Sequence, residues 1–104
     1  MKKSKTKKSG NYQKYLIESL KDPDEMAAYI NAAIEERDDP EALLIALRHV
    51  VEAQNISQLA LKARLNRVTL YRTLAEGGNP RLVTLAALLA AMGLKLKVEQ
   101  KMAG

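Results

Sequence analysis

Ser57–Pro80 reads SQLALKARLNRVTLYRTLAEGGNP, and its spacing predicts two short helices joined by a tight turn. Ser57 is placed to cap a first helix over Gln58–Leu65, in which Leu59, Ala60 and Ala63 fall at i, i+1 and i+4 and form one small apolar face. Asn66 is placed to cap a second helix over Arg67–Ala75, in which Leu70 and Leu74 turn inward together. Arg67, Val68, Thr69, Tyr71 and Arg72 are then left mostly outward. A helix with that outer face fits the major groove of duplex DNA: its first turn reaches base edges, and its arginines hold guanine or phosphate. A generic helical hairpin has the same apolar spacing, so spacing alone leaves both readings open.

The net charge of +5 conceals a division along the chain. Residues 1–14 hold Lys2, Lys3, Lys5, Lys7, Lys8 and Lys14 with no acid; residues 15–54 hold three bases against ten acids; residues 55–104 hold eight bases against two acids. The part with the two-helix stretch is basic, as a polyanion-binding face should be. Met1–Asn11 is rich in Lys, Ser and Gly and reads as disordered. Such a tail is either an arm that touches phosphate or a solubilising extension. The expected organisation is a basic tail over 1–14 and a single helical domain over 15–104. That domain divides into N-terminal helices (15–54), a helix-turn-helix core (55–93) and a C-terminal strand (94–100).

A chain of 104 residues suits one small domain with little stability to spare. The absence of Cys excludes a disulfide frame, a thiolate metal site and a thiol nucleophile, and is compatible with the expected cytoplasmic location. Leu82–Leu94 is too short and too alanine-rich for a membrane span, and no apolar segment follows the basic Met1–Gly10 as a secretory signal would require.

Upstream, Tyr12, Tyr15, Leu16, Ile17 and Leu20 predict a short amphipathic turn docked on the core. Asp22-Pro23-Asp24-Glu25 is a helix start, with Asp22 as cap and Pro23 first in the helix; Met26, Ala27, Ile30, Ala33 and Ile34 keep helical spacing to about Arg37. Asp39-Pro40-Glu41 starts another helix in the same way, and Leu43, Leu44, Leu47, Val50 and Val51 form its apolar stripe. Asn55 is the expected left-handed stop. Gly77-Gly78-Asn79-Pro80 reads as a turn, and Leu82–Met92 as a last helix, closed by Gly93 and buried against both helices of the motif. Leu94, Leu96 and Val98 then alternate with Lys95, Lys97 and Glu99, a strand pattern. A lone strand leaves its backbone groups unpaired. Pairing with a second copy through Leu94, Leu96 and Val98 makes a homodimer, which suits a reader of two-fold operators. A short edge packed on its own domain, or paired with Tyr12–Ile17, is the alternative.

Leu20, Pro23, Asp24 and Tyr29, the Asp39-Pro40 break, Ser57-Gln58-Leu59-Ala60, Arg67, Leu70-Tyr71, Leu74, Gly78-Asn79-Pro80, Thr84-Leu85 and Gly93-Leu94 stand in a specific order and spacing. Over Ile56–Leu96 the chain resembles the lambda-repressor-like (Xre/Cro-type) DNA-binding fold. Over Tyr15–Val98 it resembles more closely the addiction-module antidote family, the HigA-like antitoxins. The resemblance implies an all-α fold: a five-helix lambda-repressor-like helix-turn-helix domain with an N-terminal helical extension and a short C-terminal β-strand. It also implies a repressor of its own promoter that neutralises a small RelE/ParE-like toxin. The sequence departs from the family pattern at four places. Arg64 replaces the usual turn Gly, at a penalty of about 1 kcal/mol if φ is positive there. Asn66 replaces a capping Ser, Val68 a polar or acidic residue, and Arg81 a small polar cap.

On this resemblance Gln58 clamps phosphate, Asn66 belongs to the DNA-binding set at the start of the recognition helix, Arg67, Thr69 and Arg72 read bases or phosphate, and Val68 gives apolar contact to a thymine methyl. Tyr71 either reaches phosphate or packs its ring in the core. Lys62, Arg64 and Arg81 flank as electrostatic positioners or are merely solvated. Glu18, Glu25, Glu35, Glu36, Asp38 and Asp39 are candidates for attracting a basic toxin; helix capping and a solvated face explain the same acids. No cofactor and no metal are expected. His49 is the sole histidine, no Cys can join it, and no Gly-rich phosphate loop follows a strand, so an enzyme is not expected. Two alternatives stay open: an interaction module that inhibits a toxin without binding DNA, and a stand-alone repressor.

Overall fold

The computed structural model describes residues 4–36 and 39–102, with side chains from Tyr12 onward. The order is α1 (Ser4–Ser19), α2 (Pro23–Ile34), α3 (Pro40–Glu52), α4 (Ile56–Ala63), α5 (Arg67–Thr73) and α6 (Leu82–Ala91). The fold is all-α, with no strand among the described residues.

The two acidic starts fold as their capping chemistry dictates. The Asp22 side chain accepts from the Asp24 N–H at 3.2 Å and the Asp39 side chain from the Glu41 N–H at 3.1 Å, each followed by Pro at the first helical position. α2 ends at Ile34, short of the expected Arg37, which with Asp38 lies outside the described residues. α3 is the central strut. Its Leu44, Leu47, Val50 and Val51 are buried in one cluster with Leu20, Met26 and Ile30 before it and with the motif leucines after it. α1, α2 and α4 all pack on α3, and α6 packs on α4.

The capping at the α3–α4 junction differs from expectation. Asn55 is not a left-handed stop; it is extended (φ −78°, ψ 106°) and its side chain accepts from the Gln58 N–H at 3.1 Å, capping α4. Ser57 therefore lies inside the helix. Both residues are good caps, and the earlier one takes the role because α3 closes at Ala53 with ordinary helical dihedrals. α5 is also shorter than expected, ending at Thr73 with Leu74 as its C-cap.

α4 and α6 close in the same way. After α6, Gly93 (φ 83°) donates to the Ala90 carbonyl at 3.0 Å and Leu94 to the Leu89 carbonyl at 2.8 Å, the Schellman pattern. After α4, Arg64 (φ 60°, ψ 43°) donates to the Leu61 carbonyl at 3.2 Å and Leu65 to the Ala60 carbonyl at 2.9 Å. Arg64 thus holds the left-handed position that glycine fills at residue 93.

Both ends of the chain depart from the sequence reading. Helix begins at Ser4, where composition predicts a disordered tail; residues 1–3 lie outside the description. Lysine is a good helix former, and the segment extends a helix docked through Leu16 and followed at once by the buried Leu20. Tyr12 and Tyr15 are exposed and not docked. At the other end, residues 94–102 carry no strand. The pattern is alternating, but a strand needs a ladder partner, and Tyr12–Ile17, the one candidate within the chain, is helical. Leu94, expected at a dimer edge, is half-buried against its own core, whereas Leu96 and Val98 are exposed. α6 lies chiefly against α4, leaving Leu82 and Val83 in solvent.

Candidate nucleic-acid interface

α5 is built from its cap outward. Asn66 is extended (φ −87°, ψ 163°), and its Oδ1 accepts from the Thr69 N–H at 2.7 Å. That bond satisfies one of the orphan donors at the helix start and occupies the Asn66 oxygen. Leu70 is fully buried and Leu74 nearly so, which fixes the inner face. Arg67, Val68, Tyr71 and Arg72, at i, i+1, i+4 and i+5, are exposed together on the outer face, and Thr69 is half-buried beside them. The Tyr71 ring, 58% exposed, is not a core residue. It borders the crevice between α3 and α5.

The remaining predicted residues surround this helix in sequence. Gln58 lies in the first turn of α4 with its side chain exposed, and Lys62 is exposed in the last turn. Arg64 is exposed on the left-handed turn between the two helices. Arg81 stands at the N-cap of α6, is exposed, and makes no capping bond. Among the described residues the only ion pair is Lys21–Glu18 at 3.2 Å, and Lys62, Arg64, Arg67, Arg72 and Arg81 have no acidic partner among them. Such cations remain available to an external polyanion.

Two polar ties to this unit were not legible in the sequence. The Glu41 carboxylate accepts from the Gly77 N–H, and the Arg48 guanidinium donates to the Leu74 carbonyl. Both span more than twenty residues, and neither leaves a local motif. Elsewhere Tyr29 Oη lies 2.6 Å from His49 Nδ1, joining α2 to α3. Burial, and secondarily the Tyr12 phenol, push the Tyr29 hydroxyl above its ordinary pKa. Among the described residues no group of three His, Asp or Glu side chains is placed to hold a metal ion, and no helix is long and apolar enough to cross a membrane.

Residues 11–100 match the protein family described as "Probable addiction module antidote protein". The chain belongs to this antidote family. An uncharacterized protein of Haemophilus influenzae is 35% identical over 85 residues, covering 82% of this chain and 87% of that protein. No solved structure matches the chain. The family match takes in α2 through α6 whole, with the last part of α1, so both the acidic helices and the basic helix pair belong to the antidote.

Proposed function

We propose that the protein is the antitoxin of a toxin–antitoxin module and represses its own promoter by binding operator DNA through α4 and α5. The observation that carries this reading is the outer face of α5, where Arg67, Val68, Tyr71 and Arg72 are exposed, with no acidic partner among the described residues, on a helix capped by Asn66 and braced by Leu70. Gln58 and Lys62 of α4, with Arg64 and Arg81 at the flanking turns, are the phosphate contacts that set the register. Arg67, Thr69 and Arg72 are the readers, Val68 the contact for a thymine methyl, and Tyr71 a phosphate ligand through its hydroxyl. Asn66 acts here through the helix it caps.

The protein acts as a homodimer in the cytoplasm. The alternating tail 94–100 supplies the edge, with Leu96 and Val98 exposed on it. Its toxin is a small basic protein of the RelE/ParE-like kind, drawn to the acidic stretch 15–54; Glu18, Glu25, Glu35, Glu36 and Asp39 are exposed there.

Titration of the DNA upstream of the coding sequence, with scrambled competitor and over a range of salt, tests the repressor role. The expected result is discrimination between the two duplexes and a slope near −0.9 for each phosphate neutralised. Equal affinity for both duplexes refutes it. Co-purification of a small basic protein encoded beside this chain tests the antitoxin role, and a neighbouring gene product that never co-purifies refutes the partnership.

A further inference from the structure

α5 has only seven residues, too few to hold a helical conformation or a fixed direction on its own. Its front end is set by the Asn66 cap and the Arg64 turn. Its back end is held differently. Beside the buried Leu74, a pocket of about 380 Å³, lined in part by Arg48, Val51, Ile56 and Tyr71, lies between α3 and α5. Across this gap Arg48 donates to the carbonyl of Leu74, the C-cap of α5. Three residues further on, Glu41 accepts from the Gly77 N–H at 2.9 Å, in the turn that leaves the helix. Glu41 and Arg48 are seven residues apart and share one face of α3, two turns from each other. The Leu74 carbonyl is an orphan acceptor of a helix end, which a guanidinium satisfies well. Gly77 (φ 76°) turns the backbone so that its N–H points back to α3.

We infer that Glu41 and Arg48 are positioning residues for DNA recognition, a rigid two-point mount by which α3 sets the angle at which α5 presents Arg67 and Arg72. This rests on the DNA-binding reading given above. Neither residue touches DNA; each acts through the backbone it holds. A change in angle removes base contacts made at the leading turn and leaves the diffuse attraction to phosphate in place. Loss of either tie therefore lowers the ratio of specific to non-specific affinity, not affinity in general.

The test compares Glu41→Asp, Glu41→Gln and Arg48→Met with the wild-type full chain. Affinities for the upstream duplex and a scrambled duplex are measured at one salt concentration, with thermal melting to confirm folding. Gln keeps an acceptor of the same reach and loses the charge, whereas Asp keeps the charge and is one methylene too short. The expected result is that Glu41→Gln retains discrimination within about twofold while Glu41→Asp and Arg48→Met lose about tenfold of it. Affinity for the scrambled duplex stays within about twofold for Glu41→Asp. Amide exchange over Leu70–Gly78 in the DNA-free protein is expected to quicken in Glu41→Asp and Arg48→Met alone. A charge effect alone gives the reverse order, with Glu41→Gln tightening on both duplexes and Glu41→Asp unchanged, and overturns the proposal. Wild-type discrimination that all three variants keep overturns it as well. A wild-type chain that does not distinguish the duplexes overturns the DNA reading itself, and this inference with it.

Discussion

The acidic stretch 15–54, which carries the end of α1 with α2 and α3, and the basic stretch 55–104, which carries α4, α5 and α6, use their charges in opposite ways. In the first group charge works inside the molecule. Asp22 and Asp39 cap helices, Glu41 holds Gly77, Arg48 holds Leu74, and Glu18 pairs with Lys21. In the second group Lys62, Arg64, Arg67, Arg72 and Arg81 make no ion pair among the described residues, and α4 and α5 are capped by the neutral Asn55 and Asn66. Folding thus uses several named charges of the first group and, among the described residues, pairs none of these five cations with an acid. The contrast teaches which substitutions should register as stability and which as binding.

The largest effect is expected in the second group. Replacing both Arg67 and Arg72 with Ala should weaken binding to the upstream duplex by about a hundredfold or more, since each good base contact is worth about 1–3 kcal/mol. The melting temperature should stay within about 2 °C, because both side chains are exposed and neither is paired with a described acid. A fall in melting temperature equal to that of a cap variant would erase the distinction between the two groups. In the first group, Asp39→Ala should lower stability by about 1 kcal/mol, or about 4–8 °C in a domain of this size. The slope of affinity against salt should not move, because Asp39 lies on α3 and neutralises no phosphate.

Arg64 belongs to both groups and divides the two effects within one residue. Its φ of 60° strains an arginine, so Arg64→Gly should stabilise the fold by about 1 kcal/mol. The same change should shrink the salt slope by about 0.9, the loss of one phosphate contact. The smallest effect is expected at Tyr29→Phe, which removes the part-buried bond to His49 and should lower stability by about 0.5 kcal/mol without altering DNA affinity. Paired melting and salt-titration curves check both variants.

What the sequence made legible follows the range of the interactions. Asp22, Asp39 and Asn66 were readable as caps because a cap bond spans two or three residues. The inward Leu70 and Leu74 and the outward Arg67, Val68, Tyr71 and Arg72 were readable because the helical period alone separates them. Asn55 is ambiguous in the sequence because a residue between two helices suits a stop and a start equally, and only the dihedrals decide. The tail pattern at 94–98 was readable as alternating, yet alternation cannot supply a partner strand. Glu41 and Arg48 left no trace, since their bonds cross 36 and 26 residues and depend on how α3 meets α5.

A side-by-side mobility-shift titration of Arg72→Ala and Lys101→Ala on the upstream duplex is the decisive measurement. Both variants remove one exposed cation, one on the outer face of α5 and one in the extended tail. If α5 enters the groove, Arg72→Ala loses at least about tenfold in affinity while Lys101→Ala loses no more than about twofold. Equal losses would mean that the chain holds DNA by diffuse charge, and that α5 reads nothing.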